Sequence, residues 1–209
     1  MDWTFEKVIT TEEELRDIMG HPNEIVTSKT IDYIDENCRG FIEKSPFITI
    51  ATSDLNNNFD VSPKGDPEGF VKILNDTTLA IPDRPGNRKA DTLRNIIQNP
   101  NIGLIFLIPG IKETLRVNGT AKIVTDKKVL ELLSHKGKLP SFAIIVKVQE
   151  AFMHCAKCII RSKLWRNIDD TQERAVPSLG KVLVDHGKLE INVEELDKMI
   201  RDDEKTNLY

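Results

Sequence analysis

The sequence predicts a mainly β protein with peripheral helices (α+β), built on six antiparallel strands. Three observations predict it. Runs rich in β-branched residues, such as Phe47 to Ser53, recur between Gly, Pro, Asn and Asp turn signals. Phe142, Ile144, Val146 and Val148 alternate with a period of two, the mark of a strand with one buried face. Ahead of the strands, apolar residues spaced three and four apart mark helices that pack one face on the outside of the strands.

In chain order, Thr10, Thr11 and Glu12 to Glu14 offer two overlapping capping boxes before Leu15, Ile18 and Met19, so a short helix runs to Gly20. Gly20-His21-Pro22-Asn23 stops it. A longer helix fits the stripe Ile31, Ile34, Cys38, Phe41 and Ile42, with Cys38 in the core. Ser45-Pro46 ends that helix, Phe47 to Ser53 is a strand, and Asp54 to Asn58 is a turn. The next strand carries Val61 and Ser62 into Pro63-Lys64-Gly65-Asp66-Pro67. Two prolines without ladder donors take this segment out of the sheet.

Thr77 to Ile81 and Asn101 to Ile108 are further strands, the second almost wholly apolar and therefore central. Leu115 to Val124 continues the meander, with Gly119 permitting a bulge or a close backbone approach. Val129, Leu132 and Leu133 suggest a short helix, and the alternating segment at 142–148 is the last strand. Beyond Arg166 the chain is polar to Pro177 and Gly180, then carries an apolar patch at Val182-Leu183-Val184. A final helix is capped by Asn192 with Glu195 and has Leu196, Met199 and Ile200 on its apolar face, while 201–209 is expected to fray. The expected organisation is a helical segment at 1–45 packed on the barrel, a barrel domain at 46–165 and a C-terminal extension at 166–209.

Composition sets outer limits on function. With 209 residues, 39% hydrophobic and 30% charged, the chain can bury one substantial core. No apolar run approaches a membrane span, and a net charge of −4 argues against a nucleic-acid footprint. The start, MDWTFEKVITTEEEL, lacks the basic and apolar regions of a secretory signal, and an odd count of three cysteines fits reduced thiols, so a cytoplasmic location is expected.

The densest chemistry is the loop Asp83-Arg84-Pro85-Gly86-Asn87-Arg88-Lys89. Apolar residues at Ala90, Leu93, Ile96 and Ile97 form one helical face after it, Asn87 fits as the N-cap, and Asn99-Pro100 closes the helix. Cations at a helix start oppose its dipole, so Arg88 and Lys89 need a structural partner or an anion. A phosphate would satisfy the backbone N–H groups, the dipole and the cations together. A solvated basic turn is the plainer reading. Later, His154-Cys155-Ala156-Lys157-Cys158 has CxxC spacing, which suits structural thiols, a dithiol or a metal.

Asn87-Arg88-Lys89, Leu93, Asn99-Pro100, Leu104 to Phe106 and Leu115-Arg116-Val117-Asn118-Gly119 together resemble the FMN-binding split-barrel family of pyridoxamine 5'-phosphate oxidases. The resemblance covers roughly residues 46 to 125, and more weakly reaches Trp165. Within it, SPKGDP, IPDRPGNRKADTLRNI and ETLRVNG look most like the flavin-nucleotide-binding subgroup and not the oxidase itself.

The resemblance implies a six-stranded antiparallel split β-barrel that binds FMN. Asn87, Arg88 and Lys89, with Arg84 beside them, would take the FMN phosphate. Ser62 and Lys64 would lie near the flavin ring. Thr114 stands where the family has a glutamine near the FMN, His154 aligns with an aromatic, and Trp165 can supply a ring. Lys64 or Arg116 is the candidate cation for the reduced ring, and Arg116 could equally be a structural residue. The Arg-x-His and Arg-x-x-x-x-Lys substrate motifs of the oxidase are absent.

The family builds each flavin site from two subunits, so a homodimer is implied, with Thr114, Arg116, His154 and Trp165 coming from the partner chain. The implied function is flavin-dependent oxidoreduction of a small molecule. Two alternatives stay open: a sensor or binding protein holding FMN, haem or a deazaflavin without turnover, and a metal-binding protein using His154, Cys155 and Cys158.

Overall fold

The computed structural model describes residues 4–166 and 177–206. One antiparallel sheet dominates it, in the order β2-β1-β5-β6-β7-β4-β3. Its strands are β1 (Phe47–Ser53), β2 (Phe59–Gly65), β3 (Lys72–Asn75), β4 (Thr78–Asp83), β5 (Asn101–Leu107), β6 (Thr114–Val124) and β7 (Phe142–His154). The mainly β architecture with outer helices is as expected, but the strand count is seven where six were predicted. The extra strand is β3, four residues long and too short to show a period.

The sheet curls so that its two ends meet. Asp66 follows β2 at one end of the strand order, and Arg84 follows β4 near the other, yet Arg84 Nε lies 2.6 Å from Asp66 Oδ2. Inside the curl, Ile48 and Ile50 of β1, Leu104 and Phe106 of β5, Val117 of β6, Ile144 of β7 and Leu79 of β4 belong to one buried cluster.

α1 (Glu12–Met19) starts at a full capping box, Thr11 with Glu14, and ends at Gly20, whose φ of 72° suits glycine. α2 (Glu24–Ser28) follows with Asn23 as its N-cap. The long helix expected across Ile31 to Ile42 is shorter: α3 spans Glu36–Lys44, because the Asp35 side chain accepts from Cys38 N and starts the helix there. Ile31 instead bridges Ala151 of β7, and Ile34 N donates to Asp76 O. Cys38 and Ile42 reach the core as predicted.

β2 corrects a second expectation. The segment does not leave the sheet at Pro63, since β2 stays paired with β1 through Gly65 and Thr49 sits opposite Pro63. As the end strand it has a free edge, where a missing donor is tolerated. β7 also runs past the predicted Val148 to His154. Register with β6 steps from Asn118–Glu150 to Gly119–Val148, so Gln149 bulges and the buried positions change from 144, 146 and 148 to 151.

Gly119 sits at that step, and a Cβ there would lie 2.0 Å from Lys147 O. Gly119→Ala should therefore cost about 3 kcal/mol, the upper range for overpacking, because a backbone atom must yield. Urea denaturation checks this, and a loss below about 1 kcal/mol would show that the bulge relaxes freely.

α4 spans Asp91–Gln98, α5 Lys127–Leu132 and α6 Lys157–Ser162. α7 (Leu179–Gly187) and α8 (Val193–Thr206) pack on each other. Asn192 caps α8 by accepting from Glu194 N and Glu195 N. Helix continues through residues 201–206, where fraying was expected, and 207–209 lie outside the described residues.

Candidate functional site

β2, the end of β4 and the loop into α4 enclose a cavity of about 1050 Å³. Ser62, Lys64, Arg84, Asn87, Arg88 and Lys89 all line it, so six of the predicted site residues meet in one place. The volume is at the upper end for small-molecule sites, roughly 300–1,000 Å³.

The loop reaches α4 in a way the sequence did not indicate. Ala90, not Asn87, is the N-cap residue, with φ of 60° and no capping side chain. Asn87 Oδ1 instead accepts from Lys89 N at 3.0 Å, a local turn that competes with capping. Arg88 also has φ of 60°. The first N–H groups of α4 therefore lack a side-chain acceptor, and they open beside the loop cations. Arg88 is exposed and has no ion-pair or hydrogen-bond partner among the described residues.

The other cations are engaged. Arg84 holds Asp66 and donates from Nη2 to Leu133 O at 3.0 Å, so its guanidinium joins the sheet ends and is not turned to a ligand. Lys89 Nζ lies 2.7 Å from Asp91 Oδ2, and that hydrogen bond and charge hold the ammonium above the ordinary lysine range. Acids line the cavity too: Asp83, which opens the loop, and Asp60, Asp91 and Asp203, which sequence reasoning did not single out. Asp60 accepts from Thr92 Oγ1 at 2.8 Å, and Asn95 donates to Thr52 Oγ1, which fixes α4 to β1 and β2. Burial pushes the Asp83 carboxyl up, with Lys64 pulling it the other way. Of the predicted apolar face, Ile96 is buried and Ile97 is 77% exposed.

Thr114, Arg116, His154 and Trp165 do not line this cavity. Thr114, Arg116 and His154 instead meet at the extended end of β7. Thr114 sits opposite His154, and Arg116 opposite Phe152. The Arg116 guanidinium lies 4.4 Å from the centre of the Phe152 ring, and Lys29 Nζ lies 5.0 Å from it. Arg116 Nε is buried with no hydrogen-bond partner. Trp165, in the turn after α6, donates from Nε1 to Ile111 O at 2.6 Å. Neither Phe152 nor Lys29 was singled out from sequence. The bulge at Gln149 hides Phe152 from a period-two reading, and Lys29 arrives from a distant part of the chain to donate to Met153 O.

Burial first, then Arg116 and Lys29, hold the His154 imidazole below the ordinary histidine range. The unfolded chain then binds this proton more readily than the folded one. The histidine's contribution to stability is complete above about pH 6.5 and is lost as pH falls through the lower folded value. Stability should decline in that acid window, with a shallower decline in His154→Gln, as read by urea denaturation across a pH series. An unchanged slope would remove His154 as the cause.

Cys155 and Cys158 are both exposed. Among the described residues no three His, Cys, Asp or Glu side chains come together as a metal site, so the His154, Cys155 and Cys158 metal reading finds no ligand set. No described helix is long and apolar enough to cross a membrane.

The family model described as pyridoxamine 5'-phosphate oxidase matches residues 34–155. No curated protein matches the chain. Among solved structures, it is similar to HupZ of Group A Streptococcus, at 20% identity over 57% of this chain and 93% of that one, with a TM-score of 0.49. General Stress Protein 26 of Bacillus anthracis is similar at 15% identity over 55% and 88%, TM-score 0.43. An FMN-binding protein from Syntrophomonas wolfei is similar at 14% identity over 68% and 96%, TM-score 0.43.

Proposed function

Because this chain belongs to the pyridoxamine 5'-phosphate oxidase family, whose model matches residues 34–155, we propose that it is an FMN-binding flavoprotein. Its function is flavin-dependent oxidoreduction of a small molecule by a cytoplasmic homodimer, with FMN between the subunits. The observation that carries this reading is the uncapped start of α4, which opens into a cavity beside the unpartnered Arg88. An anion there answers both vacancies, and a phosphate does so best.

In this reading the N–H groups of α4 and Arg88 hold the phosphate, and Lys89 adds its charge when it turns from Asp91. Ser62 and Lys64 wall the ring from β2. Arg84 acts indirectly, by fixing the loop to Asp66. FMN, when bound, supplies the redox chemistry, and the protein supplies orientation and electrostatics. In this reading residues 46–165 are the flavin domain, preceded by a helical segment at 1–45 and followed by an extension at 166–209.

Thr114, Arg116, His154 and Trp165 would reach the ring from the second subunit. Support comes from Arg116, whose buried Nε lacks an acceptor in the single chain. Binding is then linked to association. In fluorescence titrations, FMN affinity should tighten as protein concentration rises through the dimer dissociation constant. A chain that sediments as a monomer and binds FMN with affinity independent of its own concentration would remove the two-chain site. Binding that follows association, without reduction of the flavin by any tested donor, would favour the sensor reading.

A further inference from the structure

The end of β7 carries chemistry that flavin binding does not use. Cys155 and Cys158 flank Ala156 and Lys157. The Cα separation across four residues is set by the dihedrals of the middle two, and both are helical here: Ala156 has φ −69° and ψ −9°, and Lys157 opens α6. The helical bond Ile160 N to Ala156 O, at 3.0 Å, is already in place. Helical geometry, with a rise of about 1.5 Å per residue on a radius of about 2.3 Å, puts the ends of such a turn about 5 Å apart, and a disulfide spans roughly 4.4–6.8 Å between Cα atoms.

Both thiols are exposed, and neither has a hydrogen-bond partner among the described residues. The segment 155–166, CAKCIIRSKLWR, contains Lys157, Arg161, Lys163 and Arg166 and no acidic residue, and all four cations are exposed. Such a patch raises the local concentration of anionic reagents. Cys38 is the internal contrast: it is 4% exposed, and burial, then Asp35, pushes its thiol up to about 12.

We propose that Cys155 and Cys158 are a redox modification site, forming a reversible intramolecular disulfide by exchange with an anionic low-molecular-weight disulfide. One thiolate attacks the small disulfide, forming a mixed disulfide and releasing one small thiol. The second thiolate attacks the protein sulfur of that mixed disulfide, closes the ring and releases the other small thiol. The two cysteines lose two electrons and two protons, and the small disulfide gains them as two thiols. Closure pins the corner between β7 and α6, the segment between His154 and Trp165. The assignment does not depend on a bound flavin.

The test uses the full chain, fully reduced and then equilibrated with mixtures of glutathione and glutathione disulfide. Mass spectrometry of peptides under non-reducing conditions, together with counts of reactive thiols in native protein, gives the readout. The expected result is loss of two hydrogen atoms from the peptide pair holding Cys155 and Cys158. Reactive thiols should fall from two to none, return on reduction, and exclude Cys38 throughout. In Cys158→Ser the same treatment should stop at one glutathione on Cys155, since the resolving thiol is gone. Wild-type protein that accumulates two separate glutathione adducts, crosslinks between chains, or does not react would overturn the proposal.

Discussion

Replacing Asp66 by alanine should destabilise the folded chain by about 3–5 kcal/mol, the cost of leaving one member of a buried ion pair without its partner. The Asp66 side chain is 2% exposed and Arg84 17%, and their atoms meet at 2.6 Å. Both charges have left water, so Arg84 keeps its desolvation cost when the carboxylate goes. This pair also joins the two ends of the sheet, so its loss lets β2 and β4 part. Urea denaturation should show a lower midpoint, and the double change Asp66→Leu with Arg84→Met should recover much of the loss, because neither charge then remains buried. A cost under about 1 kcal/mol for Asp66→Ala would class the pair with surface ion pairs and remove it as the closure of the sheet.

Arg88→Ala should weaken FMN binding on the order of 10- to 100-fold, the range for one charge-assisted hydrogen bond to a phosphate. The guanidinium is exposed and unpartnered, so the fold should tolerate the change within about 0.5 kcal/mol. Adding Lys89→Ala should weaken binding further, because it removes a cation and also leaves Asp91 facing the phosphate without its 2.7 Å partner. Flavin fluorescence titration measures both. Unchanged affinity in the double variant, with an unchanged urea midpoint, would place the phosphate elsewhere.

Local chemistry was legible in the sequence wherever neighbours in the chain decide the outcome. The capping box at Thr11 and Glu14, the glycine stop at Gly20 and the strand at Phe47–Ser53 rest on residues within a few positions of one another. Failures came where a distant contact decides. Ile31 fits a helical stripe, but a bridge to Ala151 takes it into extended structure. Asn87 is the local exception, a good capping residue by type whose side chain accepts from Lys89 N two residues on.

The site divides in the same way. Its cations sit in one loop and were visible as a run. Of the acids that temper them, Asp83 and Asp91 flank the run, but Asp60 and Asp203 arrive from β2 and α8, so no single window of sequence contains the whole balance of charge. Phe152 and Lys29 were hidden for related reasons, the first by a one-residue bulge and the second by long sequence separation.

Pro63 carries a consequence for how this protein behaves in a crowded solution. A sheet with an unpaired outer strand can template the addition of another chain, and the hazard grows when that strand is apolar. β2 is such a strand, with Phe59 78% and Val61 65% exposed. Many proteins guard a free edge by covering it with a helix. β2 carries Ser62 and Lys64 on the wall of the cavity, so a cover there would also block entry to it. Pro63 guards the edge from within instead, withholding a donor that a growing fibril or a stray β-strand would need, while leaving the cavity mouth open.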